Sequence, residues 1–501
     1  MPNKFIVYLI AFFSGFLSLG QEIIWMRLIS FVGMSVPQTF SFTLALFLLG
    51  IACGAQIGKN ICRKHQNLNT TLIGKVFLCS AAVDIFLLLM LCFIPTLGLS
   101  ILFLGLCAFC CAMIRGSVFP MVHHLGTAYS KTGAQISNVY FTNVFGSALA
   151  PLLISFIALD FLNTQQTYIL ICCMTMLVAG LCMEKKNLKA AFSVLSLFLL
   201  SAFFLPEKLI HQLSQNPTEN NIYPSQILES KYGFIQVYSS NHADKSVYGS
   251  NVYDGKFNTN LFHNTNGIDR AYLLSTIKPN AKNALIIGLS TGSWAKVLST
   301  MPHLEKITIV EINPDYIDLI KSEPMVADLL KDERVEFIFD DARKWVKTHD
   351  KNKYDMILMN TTWHWRAYSS NLLSNNFISM LKMHLNQDGV LFYNSTNSLD
   401  AYHTARNVFP FVYKYKNFVL ASQQQIDPQY QKIPKQLCQL LDHQSQKEIF
   451  TDNTACIKAA EEITKNEFTP YDAIDFTTLN RKPEIITDDN MITEFKYGKG
   501  L

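Results

Sequence analysis

The chain has 501 residues, half of them hydrophobic, with 42 basic and 38 acidic side chains and a formal charge of +4. Up to Pro206 there are 11 Lys and Arg against 4 Asp and Glu, which leaves 31 basic and 34 acidic side chains for the remainder. The length allows several domains, and a near-neutral C-terminal half without a basic stripe excludes nucleic acid as the expected partner.

Seven apolar segments occupy roughly 5–20, 39–58, 76–95, 98–114, 134–159, 167–183 and 190–205. Crossing a bilayer takes about 20 residues, so residues 1–206 read as a lipid-embedded domain of about seven helices, the fourth and last segments being short. Lys4 before the first segment imitates a signal peptide, but the spans that follow favour an uncleaved helix. Gly50, Gly54 and Gly58 form two overlapping Gly-x-x-x-Gly steps that admit a close neighbour, within the chain or in a homo-oligomer. Glu22, Arg27 and Asp84 are ionisable groups in or near spans, open to two readings. One is a polar pathway with a transport role; the other places Glu22 and Arg27 at the interface and gives Asp84 a packed partner.

Lys4, then Lys59, Arg63 and Lys64, then Arg115 and Lys131, then Lys185, Lys186 and Lys189 fall in alternate loops. The loops near 34–38, 96–97 and 160–166 carry no Lys or Arg. The positive-inside rule then puts the N-terminus in the cytoplasm of a bacterial inner (plasma) membrane, and seven crossings put the C-terminal domain outside. A segment 190–205 lying in the interface would return that domain to the cytoplasm. Ten of the twelve cysteines, Cys53 to Cys182, accompany apolar segments and read as small core residues, with no metal-ligand spacing. Cys438 and Cys456 are either two buried thiols or, in an oxidising compartment, a disulfide.

Residues 207–275 alternate in short stretches with Asp-Gly and Asn-Gly turns, which predicts a small β-rich entry subdomain. From 276 to 501 strands at 284–288, 307–311, 335–339, 354–359 and 389–394 alternate with helical sequence, the pattern of a doubly wound Rossmann-like α/β domain. Ligands of such sheets sit beyond the strand C-termini. Those ends carry Gly288-Leu-Ser-Thr-Gly292, Glu311, Asp340-Asp341 and Asn360-Thr-Thr-Trp-His-Trp-Arg366. The turn with Gly288, Ser290, Thr291 and Gly292 offers backbone amides and a helix start to a nucleoside, and Glu311 can accept both ribose hydroxyls. Glu311 follows Gly288 by 23 residues, near the spacing of about 20 in dinucleotide-binding units. The plainer reading is an ordinary βα turn with a surface Glu. Asp254, in an Asp-Gly pair, is expected to serve a turn, and His403 is a further weak candidate.

Residues 225–420 resemble spermidine synthase and its relatives, built on the class I S-adenosylmethionine methyltransferase fold. The spans with Glu22-Ile-Ile-Trp-Met-Arg27 and the later Thr487-Asp-Asp489 resemble membrane-fused spermidine-synthase-like proteins. The resemblance implies that Gly288 and Gly292 form the donor turn, that Glu311 binds ribose, and that Asp341, beside Asp340, meets the adenine amino group. It departs at Thr291, where the family turn has an Asp, and at Asn360, Thr361, Thr362 and Trp363, where the family has Asp-Ser-Thr-Asp. The diamine-binding Tyr-His-Glu run falls near Asn266-Gly-Ile-Asp269. Asn cannot take a proton, and a polyamine cation needs carboxylates to offset its desolvation. In their place His364 is a candidate base, Arg366 an anion clamp and the tryptophans stacking walls; the competing reading is a packed lid.

The expected activity is transfer of a methyl or aminopropyl group from S-adenosylmethionine or its decarboxylated form to a small-molecule or membrane-surface acceptor other than putrescine. The rivals are true aminopropyl transfer at a rearranged site, and a non-catalytic nucleoside- or partner-binding module on a transporter-like domain. An extracytoplasmic domain sits awkwardly with adenosyl donors, which are made in the cytoplasm.

Overall fold

The computed structural model of the chain describes residues 4–65, 68–93, 101–127, 133–184, 186–216, 219, 222–240, 243–427, 429–466 and 468–501. The end of the third apolar segment, the start of the fourth, the loop at 96–97, and Lys131 and Lys185 lie outside those residues. The chain divides into two compact units, residues 1–234 with Leu501 and residues 235–500.

The first unit is helical: α1 (Lys4–Val32), α2 (Gln38–Lys64), α3 (Thr70–Phe93), α4 (Ile101–Gly116), α5 (Val118–Gly126), α6 (Gly133–Leu153), α7 (Leu159–Phe161), α8 (Thr164–Leu181), α9 (Lys186–Leu200) and α10 (Leu209–Leu213), followed by strand β1 (Gln226–Ser230). Among the described residues six helical stretches are long and apolar enough to cross a membrane: Lys4–Val32, Gln38–Lys64, Thr70–Phe93, Ile101–Gly126, Ile136–Phe161 and Thr164–Leu181. Pro151 inside α6 removes a backbone donor, and the helix loosens into a π-turn over Ile154–Ala158. Asn163 and Gln166 cap α8 reciprocally.

The seventh apolar segment forms α9, 15 residues long, with a 3₁₀ turn at Ser201–Phe204. It runs antiparallel along α8. A Cβ on Gly180 would lie 2.9 Å from Phe192, Ser196 Oγ donates to the Cys173 carbonyl at 3.0 Å, and Gln166 Nε2 donates to the Phe203 carbonyl at 3.2 Å. Helix α9 with its 3₁₀ turn therefore retraces most of the length of α8.

The glycine stripe of α2 is used inside the chain. A Cβ at Gly50, Gly54 or Gly58 would fall 2.6, 2.0 and 2.3 Å from the carbonyls of Phe109, Met113 and Ser117, so only glycine admits this approach. Arg115, read above as a loop cation, instead lies in the last turn of α4, within the Ile101–Gly126 stretch. Its Nη2 donates to Asp84 Oδ2 at 2.6 Å, with side-chain exposures of 2% and 0%. The reason is compensation: a carboxylate buried among apolar helices needs an opposite charge within hydrogen-bond reach. Arg27 is also held, by Thr164 Oγ1 at 2.9 Å, the Ser230 carbonyl at 2.5 Å and Glu229 at 3.4 Å.

In the second unit β2 (Gly233–Ser240), β3 (Ala243–Gly249) and β4 (Val252–Lys256) pair antiparallel in sequence. The β3–β4 turn is Ser250-Asn251, both at positive φ (48° and 66°), while Asp254-Gly255 lies within β4. The expected Asp-Gly turn is thus displaced, because the Asp254 carboxyl is drawn inward to accept a hydrogen bond from Tyr316 Oη at 2.7 Å.

Helix α11 (Asp269–Ile277) leads into the main sheet, whose strands are β5 (Asn283–Ile287), β6 (Lys306–Glu311), β7 (Val335–Phe339), β8 (Tyr354–Met359), β9 (Leu385–Asn394), β10 (Phe411–Tyr415), β11 (Phe418–Ser422) and β12 (Thr469–Pro470). The order is β12-β10-β11-β9-β8-β5-β6-β7. Strands β5 to β9 are parallel to their neighbours, and β10, β11 and β12 add an antiparallel edge. Strand β9 begins at Leu385, earlier than its apolar run suggests, because the β8–β9 register shifts between Tyr354 and Met356.

The connecting helices are α12 (Ser293–Leu298), α13 (Asp315–Lys321), α14 (Ala342–Thr348), α15 (Ser370–Leu373), α16 (Asn375–Met383), α17 (Leu399–Val408), α18 (Ile433–Leu437) and α19 (Asn453–Thr464). Leu285, Ile287, Ile357, Leu391 and Tyr393 of the sheet bury against Trp345, Phe377, Leu381 and Tyr402 of α14, α16 and α17. Each large buried side chain of this kind contributes about 1.5–3 kcal/mol. Cys438 and Cys456 are disulfide-bonded with Cα atoms 5.5 Å apart, which joins α18 to α19. The tail returns to the core at Asp488, which takes two hydrogen bonds from Arg343 at 2.7 and 2.6 Å.

Candidate functional site

The strand order reverses at β5, with β6 and β7 on one side and β8 and β9 on the other, so the ligand crevice of such a sheet lies beyond the C-termini of β5 and β8. Gly288 ends β5 at φ +87°, and a Cβ there would lie 2.9 Å from the Asn360 carbonyl at the end of β8. The two strand ends meet only because residue 288 has no side chain.

The turn continues with Ser290 at φ 49° and Gly292 at φ 71°. Helix α12 after it has six residues, so the helix dipole adds little, and the backbone amides are the feature a ligand would use. Thr291 Oγ1 donates to the Lys256 carbonyl at 3.1 Å, and Ser290 Oγ to the Asp254 carbonyl at 3.2 Å.

Glu311 ends β6 with 7% exposure. Its Oε2 accepts from Leu289 N–H at 2.8 Å and its Oε1 from Asn313 N–H at 2.9 Å. Burial pushes its carboxyl up to about 7, and the Asn313 and Leu289 amides oppose that rise. Each oxygen keeps a second lone pair, so the group fits a diol when ionised. Asp341 caps α14 by accepting from Lys344 N–H at 2.9 Å, and Asp340 pairs with Lys344 Nζ at 2.9 Å. Both stand at the end of β7, the neighbour of β6.

Under Glu311 lies a second group. Asp254 accepts from Tyr316, and Arg366 adds its charge near both. Burial raises the Asp254 carboxyl, with Tyr316, Ser290 and Arg366 opposing the rise. Burial likewise pulls Arg366 below the usual guanidinium range, and its Nη1 donates to Thr362 Oγ1 at 2.8 Å. The sequence reading of Asp254 as a turn residue misses this pairing; an Asp two positions into a strand was the available signal.

Beside the turn is a cavity of about 300 Å³, lined by Tyr253, Asp254, Asn266, Arg270, Trp294, Asn360, Thr362, Trp363, Asn394, Thr396, Asn417 and Phe418 among others. Among the described residues Asp254 is the one carboxylate in this lining. His364 and Arg366 stand outside it. The His364 ring Nδ1 sits 3.1 Å from the Thr396 carbonyl and 2.9 Å from Thr396 Oγ1, and burial lowers its pKa. Since a carbonyl only accepts, Nδ1 carries the proton and Nε2 is left basic. Trp363 and Trp365 stack with centroids 6.2 Å apart. His403 pairs with Tyr471 Oη at 2.6 Å on α17, outside that lining too.

Part of the chain is similar to known proteins. Residues 272–462 match the family described as the spermine/spermidine synthase domain. This part of the chain is a spermidine synthase-like domain. Polyamine aminopropyltransferases from Clostridium perfringens (strain SM101) and Clostridium botulinum (strain Eklund 17B) are 33% and 32% identical to it over 114 residues. That is 23% of this chain and 40% and 39% of theirs. The relative from Agathobacter rectalis is 33% identical over 119 residues, 23% of this chain and 41% of its own. The chain thus spans about two fifths of the length of the curated relatives it matches. Two solved structures are similar at 16% identity. A spermidine synthase in complex with the transition-state analogue AdoDATO has a TM-score of 0.38, over 48% of this chain and 88% of that one. Spermidine synthase from Thermotoga maritima has a TM-score of 0.37, over 49% and 91%. The spermidine synthase-like domain shares one chain with an N-terminal region in which six helices among the described residues are long and apolar.

Proposed function

We propose that the chain is a membrane-embedded transferase whose spermidine synthase-like domain binds an S-adenosyl nucleoside and passes a methyl or aminopropyl group to an acceptor other than putrescine. The observation that carries this reading is the cavity at the sheet's switch point. It lies beside a nucleoside-type turn to which Glu311 is hydrogen-bonded, yet among the described residues its lining has one carboxylate, already bonded to Tyr316. A bound sulfonium nucleoside would supply an activated carbon. The chain's part is to hold the ribose at Glu311, to place the base near Asp341 and to orient the acceptor, and alignment of this kind is the main catalytic contribution in direct displacement. Thr291 and Lys256 satisfy each other where an Asp would bind the donor's amino group. His364, through Nε2, is the proposed proton acceptor for an acceptor group that must lose a proton. Arg366, bonded to Thr362, lends its positive charge to Asp254 and Tyr316.

Calorimetry on the full chain in detergent tests the reading. S-adenosylmethionine or its decarboxylated form is expected to bind, with transfer to a non-diamine acceptor. No binding of either at millimolar concentration, or robust spermidine formation from putrescine, would overturn it.

A second reading has one specific observation in its favour. The Cys438–Cys456 disulfide suits an oxidising compartment, where adenosyl donors are not made, and there the domain would act as a non-catalytic module.

A further inference from the structure

The carboxamides around the cavity have a fixed direction. Arg270 can only donate, and its Nε and Nη2 lie 3.0 and 2.5 Å from Asn417 Oδ1. That pins the Asn417 amide with its nitrogen outward, and Asn417 Nδ2 donates to Asn394 Oδ1 at 2.8 Å. The same Oδ1 also takes the Thr396 backbone N–H at 2.8 Å, a second donor that cannot reverse. Asn394 Nδ2 is therefore turned to Asn360 Oδ1, at 3.1 Å. The chain of amides ends at Asn360, whose Nδ2 has no acceptor among the described residues and which lines the cavity.

Across the same cavity Asn266 is pinned independently. Its Oδ1 accepts the Lys256 backbone N–H at 2.9 Å, leaving Nδ2 as the free end. Thr362 Oγ1, already accepting from Arg366, has its hydrogen left to donate. Two backbone amides and one guanidinium thus convert groups that could face either way into a set of donors. Flipping Asn360 would set its own nitrogen against that of Asn394 and cost a buried hydrogen bond, a change that propagates to Arg270.

We infer that this cavity, whose one carboxylate among the described residues, Asp254, is already engaged by Tyr316, receives its acceptor through a lone-pair-bearing anionic oxygen, of the carboxylate or phenolate class, in preference to an ammonium group. Such an oxygen takes hydrogen bonds from Asn360 and Asn266. It also brings its own lone pair, so nothing in the cavity has to remove a proton from it. Trp294, Trp363 and Phe418 give the remainder of the ligand an apolar wall. The inference rests on the proposed transferase site but concerns the acceptor alone.

The test compares benzoate with benzylammonium, which share a shape and differ in charge, on the full chain in detergent with tryptophan fluorescence as the readout. Wild type is expected to bind benzoate at least tenfold more tightly. Asn360→Asp, which replaces the donor by an acceptor of the same size, is expected to reverse that order. Asn417→Leu, which cuts the relay upstream, is expected to shrink the preference severalfold while the thermal transition is retained. Equal affinities, stronger benzylammonium binding, no binding of either probe, or an unchanged preference in Asn360→Asp would each overturn the inference. Titration with 5′-methylthioadenosine separates it from the transferase reading. Nucleoside binding with the wrong acceptor preference sinks this inference alone, and the right preference without nucleoside binding sinks only the transferase reading.

Discussion

Arg115 reaches Asp84 at 2.6 Å from a helix that neighbours its own, and Thr175 Oγ1 stands 3.3 Å from the same nitrogen. Around this pair Arg115 Nε and Nη1 have no hydrogen-bond partner among the described residues. The pair is therefore satisfied at one contact and open elsewhere, an arrangement that depends on both charges being present.

Removing one charge of a buried pair strands the other and costs about 3–5 kcal/mol. Asp84→Asn is expected to lower the thermal midpoint of the full chain in detergent, and Arg115→Gln to do the same. The swapped double variant, Asp84→Arg with Arg115→Asp, should recover part of the loss. Equal stability of Asp84→Asn and wild type would show that the pair is dispensable.

Glu311 offers a pH signature. Its carboxyl lies near 7 instead of its ordinary 4.5 because burial favours the neutral form. For the free protein a raised carboxyl contributes stability that is complete below about 4.5 and is lost as pH rises through about 7. Ribose binding needs the ionised form as acceptor, so affinity runs the other way. Between pH 8 and pH 6 the affinity for 5′-methylthioadenosine is expected to fall about tenfold, following the ionised fraction. Glu311→Gln should bind more weakly and show a flat profile. A wild-type profile equally flat would remove Glu311 from the ribose role.

The parallel strands and the ends of β5, β6, β7 and β8 were readable because a doubly wound sheet writes each buried strand as a short apolar run followed by its functional residue. The antiparallel edge was not, since β10 to β12 carry mixed sequence whose pairing depends on partners far along the chain. Asn360 could be located from its motif, but its donor direction could not: that is set by Arg270 and Asn417, 90 and 57 residues away in sequence. Arg115 was misplaced for a similar reason. A lone Arg beside Gly116 looks like a loop cation until its partner across the bundle is known.

The disulfide closes an 18-residue separation, which corresponds to about 3 kcal/mol in the chain-entropy account. Reductant is expected to lower the thermal midpoint of wild type and to leave the double variant Cys438→Ser, Cys456→Ser unmoved. Intact mass after alkylation, with and without reductant, counts the protected thiols. No mass difference would mean that the two cysteines stay reduced.

The expected sidedness of the C-terminal domain rests on α9. Because α9 lies antiparallel along α8 from Gly180 to Gln166, α9 is expected to cross back a membrane that α8 crosses. The six long helices among the described residues plus this return would make an odd number of crossings, and Lys4, Lys59, Arg63, Lys64 and Lys189 are expected to keep the N-terminal side cytoplasmic. The domain after Ile210 is then expected outside the cytoplasm, in agreement with a stable Cys438–Cys456 bond. Alkaline phosphatase fused after Leu501 should be active, and a fluorescent protein that matures only in the cytoplasm should be dark at the same position. The opposite pair of signals would mean that α9 folds back in the interface without crossing, and would return the domain to the compartment where adenosyl donors are made.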